Sequence, residues 1–209
     1  MDAEGADAVA RTEEREVPCH DLVEEGRELR LDPVLHRRLP IGRVEAEFGT
    51  LLDEVVTRDF PFLGACYGVG TVGVHLGAPI DRIYAEPISV VPVTLTEAGA
   101  SDPILAELPP TFNAFVGHKE AIRSLPDSAT LLASSPTCPV QMFRVGANVY
   151  ATQFHPELDV DGIILRIHAY ANHGYFAADE LEPTLAAVRR AEVSYPSRML
   201  RTFVERHAR

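Results

Sequence analysis

The chain has 209 residues, of which 46% are hydrophobic and 24% charged, a composition typical of one globular domain with a full hydrophobic core. Its 31 Asp and Glu residues outnumber 19 Lys and Arg residues, and the formal net charge of −12 argues against nucleic acid as a partner. The sequence has neither a signal-peptide core nor an apolar run of bilayer length, so we expect no membrane association and a cytoplasmic location.

The predicted elements begin after a charge-rich start. We divide the chain into an atypical N-terminal segment, residues 1–42, and one domain, residues 43–209. The first 31 residues show no hydrophobic period and supply little core. Residues 43–59 have apolar side chains at helical spacing, which predicts a helix with one buried face. The apolar run at residues 60–66 then predicts a central parallel strand covered on both faces.

The rest of the chain alternates between extended and helical patterns. Residues 83–95 predict β structure at an edge or in an antiparallel pair, because Pro87 and Pro92 lack the N–H that a ladder needs. The Ser-Asp-Pro sequence at residues 101–103 predicts the start of a short helix. Four more strands are predicted, at residues 112–116, 129–133, 140–145 and 149–154.

The last two of these strands form a predicted hairpin around residues 146–148. Helices are predicted after His155, with apolar residues at 163, 164, 167 and 170 on one side, and at residues 196–207. The order of elements predicts an α/β fold with an open, mostly parallel sheet flanked by helices.

One cysteine stands between two glycines directly after the predicted strand at residues 60–66. Gly64, Cys66 and Gly68 form a G-x-C-x-G pattern, the tight strand-to-helix turn that carries serine in other hydrolases. A helix starting at Tyr67 would direct free N–H groups at the sulfur, favour the thiolate, and let the Tyr67 N–H hold an oxyanion. The alternative is a small core side chain between packing glycines, and this stretch alone leaves both open.

A thiolate nucleophile needs a base, and the base needs an orienting group. His155 ends the predicted strand at residues 149–154, Pro156 stops that strand, and Glu157 follows. A rigid turn can therefore bring the carboxylate back against the imidazole. The alternative is a surface histidine beside an acid, but active sites of open α/β sheets collect at strand ends.

Together the two patterns resemble one protein family. FLGACYG at residues 62–68 and YATQFHPE at residues 150–157 are similar to the nucleophile elbow and the histidine segment of class I glutamine amidotransferases. The similarity runs from about residue 44 to residue 175, and its nearest type is the stand-alone glutaminase similar to the glutaminase domain of GMP synthase. The resemblance implies a flavodoxin-like α/β fold.

The resemblance also implies a glutaminase reaction. Cys66 would attack the side-chain amide carbon of glutamine, while the Tyr67 N–H and a second backbone donor hold the oxyanion. His155 would protonate the departing ammonia and then activate water, with Glu157 holding the imidazole. The implied partners are glutamine, or a related small amide, and a separate synthase subunit that receives ammonia.

Two further residues are implied on the substrate side. They are Gly68, beside the nucleophile, and His118, in the segment FVGHKE at residues 115–120, which resembles a family segment near the substrate pocket. The reaction needs no metal and no organic cofactor. Three histidines near predicted helices have no spacing that gathers metal ligands, so zinc is not expected; they are His75, His168 and His173.

The sequence departs from the family pattern in three places. Gly70 stands four residues after the nucleophile, where the family usually has Gln, and Lys119-Glu120 stand where relatives have Gly-Asp. No β-α-β unit is recognisable before residue 43, although Glu25-Gly26 stand near the expected position of a Gly-Gly loop that donates an oxyanion N–H. On one interpretation the first strands of the sheet are missing.

These departures leave two other functions open. Gly70 permits a hydrolase of another γ-glutamyl or peptide amide on the same fold, and the atypical N-terminus permits a non-catalytic binding or regulatory member. The cysteines are odd in number and form no C-x-x-C pair, which predicts reduced thiols. Of these, Cys138 is expected to be structural.

Overall fold

The protein is described by a computed structural model that covers residues 41–171 and 179–208, with the backbone alone for residues 41–47. The predictions for residues 1–40, including the loop at Glu25-Gly26, and for His173 lie outside the described residues. The division into residues 1–42 and 43–209 stays a prediction.

The described residues form helices and strands that alternate along the chain. In order they are α1 (Ile41–Thr57), β1 (Phe62–Ala65), α2 (Tyr67–His75), β2 (Ile80–Asp81), β3 (Glu86–Leu95), α3 (Glu97–Ala100), β4 (Thr111–His118), β5 (Ala121–Ile122), β6 (Ala129–Ser134), β7 (Met142–Val145), β8 (Val149–Thr152), α4 (Val160–Tyr170), α5 (Leu181–Arg189) and α6 (Tyr195–His207). No helix in the described ranges is long and apolar enough to span a bilayer.

The main sheet has the strand order β1-β8-β7-β6-β3-β4. This confirms an α/β sheet flanked by helices but corrects the expected mostly parallel arrangement for the described strands. β1 and β8 pair in parallel, while the other pairings in this sheet are antiparallel. The reason is chain connection, because a short turn such as the one at residues 146–148 can join only antiparallel strands.

The parallel pair β1–β8 brings two distant parts of the chain together. Ala65 lies opposite Thr152, so the residues that follow the two strands lie at the same end of the sheet, next to the carboxyl ends of both strands. β1 pairs with β8 alone among the described strands, so its expected central position is not seen there. The topology thus places Cys66 next to the segment that carries His155.

β8 is buried on both faces and links two parts of the core. Its Tyr150 packs into a cluster with Met199 of α6, whereas Val149 and Ala151 pack with side chains of α1 and α2. This division follows from the alternation of side chains along a strand. A third cluster, around Phe115 of β4, holds α4 and α5, so helices cover the sheet on both sides around the strand ends.

Two local predictions are corrected. Residues 101–103 begin a series of turns rather than a helix, because the Asp102 carboxylate accepts the Ile104 N–H at 3.0 Å and also bonds to Arg144 and Tyr150. The short helix α3 lies just before, capped by Thr96. Helix α5 is an element without a counterpart among the predicted ones, although its buried Leu185 and Val188 have helical spacing.

Candidate active site

Cys66 occupies a strained turn between β1 and α2. Its backbone has φ 50° and ψ −93°, and residues other than glycine rarely adopt such a positive φ because of steric strain. Its N–H donates to the Thr152 carbonyl at 2.7 Å, and its thiol lies 3.9 Å from the Gly117 carbonyl oxygen. The side chain is only partly buried, so Cys66 is not the core residue of the alternative interpretation.

The two glycines that flank Cys66 have different reasons to be small. A Cβ on Gly64 would lie 3.0 Å from Gly68 Cα and 3.0 Å from the Phe62 ring, so the turn excludes a side chain there. A Cβ on Gly68 would meet nothing within 4 Å. The space beside Gly68 is therefore open.

His155 and Glu157 form a close pair just beyond β8. Nδ1 of the imidazole lies 2.6 Å from Oε1 of Glu157, the arrangement expected from the turn at Pro156. The His155 N–H donates to the Phe115 carbonyl at 2.9 Å, which ties this turn to β4. Nε2 is buried and has no hydrogen-bond partner among the described residues. Because Glu157 takes Nδ1, Nε2 is the nitrogen that remains for chemistry.

The charges around this pair favour an imidazole that binds a proton. Burial of His155 opposes its protonated form, but Cys66 and Glu157 outweigh burial and raise the pKa of the imidazole above its ordinary value. Burial raises the pKa of Glu157, but the hydrogen bond with His155 and the positive charges of His155 and Arg166 lower it overall. Cys66 and Glu157 thus both raise the affinity of the imidazole for a proton.

Tyr67 and the start of α2 lie beside the thiol. Tyr67 is the first residue of α2, and first-turn N–H groups have no acceptor within their own helix. Its phenol side chain is 79% exposed, so any role at the sulfur belongs to its backbone N–H. The positive end of the helix dipole points toward Cys66.

His118 lies at the end of β4 with both ring nitrogens engaged. Nε2 is 2.7 Å from Oε2 of Glu86, and Nδ1 is 3.1 Å from the Glu120 carbonyl oxygen. Its hydrogen-bonding capacity is therefore used within the protein. His118 and Gly117 nevertheless line a cavity of about 330 Å³, together with Arg82, Glu86 and Lys119.

Glu86 anchors a buried polar network behind this cavity. Its side chain is 2% exposed and accepts hydrogen bonds from His118, from the Thr137 hydroxyl and from Gln141 Nε2 at 2.8 Å. Burial raises the pKa of Glu86, but these hydrogen bonds lower it below its ordinary value. The network joins β3, β4 and the loop before β7.

The same region contains one candidate group of metal ligands. Ligand atoms of Glu86, His118 and Cys138 lie within 4.8 Å of one another. However, the carboxylate and the imidazole are hydrogen bonded to each other, and the Cys138 thiol lies 3.6 Å from the Val140 carbonyl oxygen. Burial raises the pKa of Cys138 to about 11, which favours the neutral thiol. The carboxylate, the imidazole and the thiol thus each have a partner within the protein.

Two residues of this region were not predicted from the sequence. Glu86 stands at the start of an apolar strand, where an isolated carboxylate is a signal of a buried partner. Arg166 on α4 approaches His155, with Nη1 at 3.4 Å from Nδ1. In the sequence, Arg166 is marked only by its position between Ile163 and Ile167, which are buried and pack α4 against the sheet.

The sequence is similar to known proteins over its central part. A family model described as class I glutamine amidotransferase matches residues 43–162, more than half of the chain. A subunit of the glutamine-hydrolysing GMP synthase from Thermoplasma acidophilum is 32% identical over 114 residues, which are 54% of this chain and 56% of that protein. A glutamine amidotransferase-like protein of Salmonella typhimurium is 34% identical over 113 residues, 54% of this chain and 47% of that protein. The matches thus span about half the length of these relatives.

Solved structures share the fold. A glutamine amidotransferase from Thermotoga maritima has a TM-score of 0.67 at 24% identity, over 85% of this chain and 74% of that one. A GMP synthase subunit from Thermoplasma acidophilum has a TM-score of 0.56 at 25% identity, over 78% of this chain and 64% of that one. These similarities and the family match confirm the resemblance inferred from the sequence motifs.

Proposed function

The chain belongs to the class I glutamine amidotransferase family, and on that premise we propose that it hydrolyses the side-chain amide of glutamine through Cys66, His155 and Glu157. The observation that carries the proposal is the 2.6 Å pair of His155 and Glu157, which leaves a buried, unpartnered Nε2 on an imidazole adjacent to a partly exposed thiol. This is the arrangement of nucleophile, base and orienting acid that covalent amide hydrolysis requires.

In the proposed reaction Nε2 of His155 takes the thiol proton, and the Cys66 sulfur attacks the amide carbon of glutamine. The resulting oxyanion accepts a hydrogen bond from the Tyr67 N–H at the start of α2. His155 returns the proton to the leaving nitrogen, ammonia departs, and a γ-glutamyl thioester remains. His155 then removes a proton from water, which attacks the thioester and releases glutamate and the free thiol.

Glu157 acts in this scheme through the imidazole. Its hydrogen bond to Nδ1 holds the proton on that nitrogen, so that Nε2 is free to accept one. Its negative charge stabilises the imidazolium that forms in each step. These roles agree with the direction in which the pKa of His155 is raised.

We propose that substrate enters the cavity beside Gly117, whose carbonyl contacts the Cys66 thiol. Gly68 would leave room for the substrate next to the sulfur, and His118 would shape the cavity wall from its fixed position on Glu86. Ammonia would pass to a separate synthase subunit, by analogy with the relative that is named as one subunit of a GMP synthase. A cytoplasmic location is part of the same proposal.

Gly70 favours a second candidate, the hydrolysis of another γ-glutamyl amide. A family member with Gln at this position has an extra polar group beside the nucleophile, which Gly70 lacks. A Cβ at Gly70 would lie 3.0 Å from Cδ1 of Ile80, so a larger residue at this position requires a small movement of the Ile80 side chain. Glutamine would therefore be held by fewer contacts here.

The test measures glutamate released from glutamine by the purified full chain. We expect turnover in the wild type and a loss of at least about 10³-fold in Cys66→Ala and in His155→Gln. His168→Gln is the matched control, because His168 is exposed on α4, and it should keep wild-type turnover. Equal turnover in wild type and Cys66→Ala would refute the proposal.

Labelling by a glutamine-analogue chloroketone separates the candidates. An adduct on Cys66, seen by intact mass and absent from Cys66→Ala, together with glutamine turnover supports the glutaminase. An adduct without glutamine turnover supports the second candidate. In that case, Gly70→Gln should change the substrate preference of the enzyme in favour of glutamine. No adduct and no turnover would leave a non-catalytic protein.

A further inference from the structure

Arg166 brings a positive charge to the His155–Glu157 pair from a separate helix. Nη1 of its guanidinium lies 3.4 Å from His155 Nδ1, which is itself 2.6 Å from Glu157 Oε1. The guanidinium also lies over the Tyr170 ring, 5.7 Å from the ring centroid. The side chain is partly buried, so solvent does not fully screen its charge.

The contact between Arg166 and His155 is electrostatic rather than a hydrogen bond. At 2.6 Å from a carboxylate oxygen, Nδ1 carries the proton and donates it to Glu157. A guanidinium has donors and no acceptor, so Arg166 and Nδ1 cannot bond to each other in this state. The favourable partner of the guanidinium is the negative charge on Glu157, while its effect on a protonated His155 is repulsion.

Given the proposed function, we infer that Arg166 is a positioning residue that keeps Glu157 ionised and limits the positive charge that His155 holds at rest. Among the residues that the structure describes, the charged or titratable groups that act on the pair from other elements are Cys66 in the β1–α2 turn and Arg166 on α4. Cys66 and Glu157 both favour the imidazolium, and Arg166 opposes it. The balance keeps the imidazole able to accept a proton at Nε2.

A purely structural Arg166 would have a different signature. The contact with Tyr170, one turn along α4, would stabilise the helix whatever the charge did to His155. Replacing Arg166 would then lower thermal stability and leave the titration of His155 unchanged. The proton affinity of His155 therefore distinguishes the two roles.

The experiment titrates His155 directly by NMR of histidine-labelled protein, with the signal assigned by its loss in His155→Gln. A Cys66→Ser background removes the ionisable group next to the imidazole, so that the signal reports the protonation of His155 alone. Arg166→Met and Arg166→Gln remove the charge, Arg166→Lys keeps it, and Arg201→Met is the control, because Arg201 is exposed on α6.

We expect the midpoint of His155 to rise by at least about half a pH unit in the two neutral variants, because a positive charge at this distance is lost. In Arg166→Lys the titration midpoint of His155 should remain near that of the parent protein, and in Arg201→Met it should not change. In the Cys66 enzyme, the acid limb of kcat/KM should move to higher pH in the same variants.

An unchanged midpoint in both neutral variants, or an equal shift in Arg201→Met, would overturn the inference. Because the titration needs no turnover, it is informative even if glutamine is not hydrolysed. A chain without glutaminase activity that still shows the shift would refute the proposed function and keep the electrostatic role of Arg166.

Discussion

Replacing Glu157 by Gln tests the orienting acid with little change in shape. The amide oxygen can still accept from Nδ1 of His155 over the 2.6 Å contact, but the charge is lost. A hydrogen bond to a charged group contributes about 1.5–3 kcal/mol. Because 44% of the Glu157 side chain is exposed, solvent screening favours the lower end, about 1.5–2 kcal/mol, which corresponds to about a 10- to 30-fold loss of kcat/KM.

The direction of the pH effect follows from the same pair. Glu157 raises the pKa of His155, so Glu157→Gln should move the acid limb of kcat/KM to lower pH, opposite to Arg166→Met. The assay is glutamate release across pH 5–9, with Glu205→Gln as control because Glu205 is exposed on α6. The assigned role of Glu157 would be refuted if kcat/KM of Glu157→Gln were within twofold of the wild-type value, or if the acid limb of its pH profile moved to higher pH.

Two further predictions concern the frame of the site. Glu86→Ala leaves His118, Thr137 and Gln141 without their shared acceptor and should lower the free energy of unfolding in urea at pH 7 by about 3–5 kcal/mol. The difference in the free energy of unfolding between wild type and Glu86→Ala should become smaller as pH falls from about 4.5 through the lowered pKa of Glu86, because the carboxylate is then protonated. A difference that does not change with pH would contradict an ionised Glu86 in this network. Gly64→Ala forces a Cβ against the Gly68 backbone and should lower the free energy of unfolding by about 1–3 kcal/mol. Gly68→Ala should keep the free energy of unfolding within about 0.5 kcal/mol of the wild-type value, and it should raise the KM for glutamine. Equal stability of the two alanine variants, measured by the same unfolding assay, would contradict the packing argument.

The parts of the site that could be predicted from the sequence are local in the chain. The turn at Cys66 follows from Gly64 and a strand-to-helix junction, and the approach of Glu157 to His155 follows from one proline between them. In each case the interacting groups are two to four residues apart, so backbone geometry alone brings them together. The helix at α1 and the strands around the site were predictable for the same reason, since their hydrophobic spacing is a local property.

Other features depend on pairing between distant segments. Nothing near Glu86 in the sequence specifies His118 or Gln141 as its partners, since they lie 32 and 55 residues away and meet only when β3, β4 and the loop before β7 assemble. The mainly antiparallel order of the described sheet has the same origin, because strand direction follows from the connections and not from the pattern within a strand.

The sequence alone predicted the groups of the candidate site: a thiol in a tight turn, an imidazole at a strand end and an acid two residues later. Only the tertiary structure decided which charges surround them. The parallel pairing of β1 with β8 brings the turn at Cys66 beside the segment that carries His155, and the packing of α4 on the sheet brings Arg166 against the His155 imidazole. Electrostatic effects depend on distance in space rather than along the chain, so these neighbours appear only once the chain is folded.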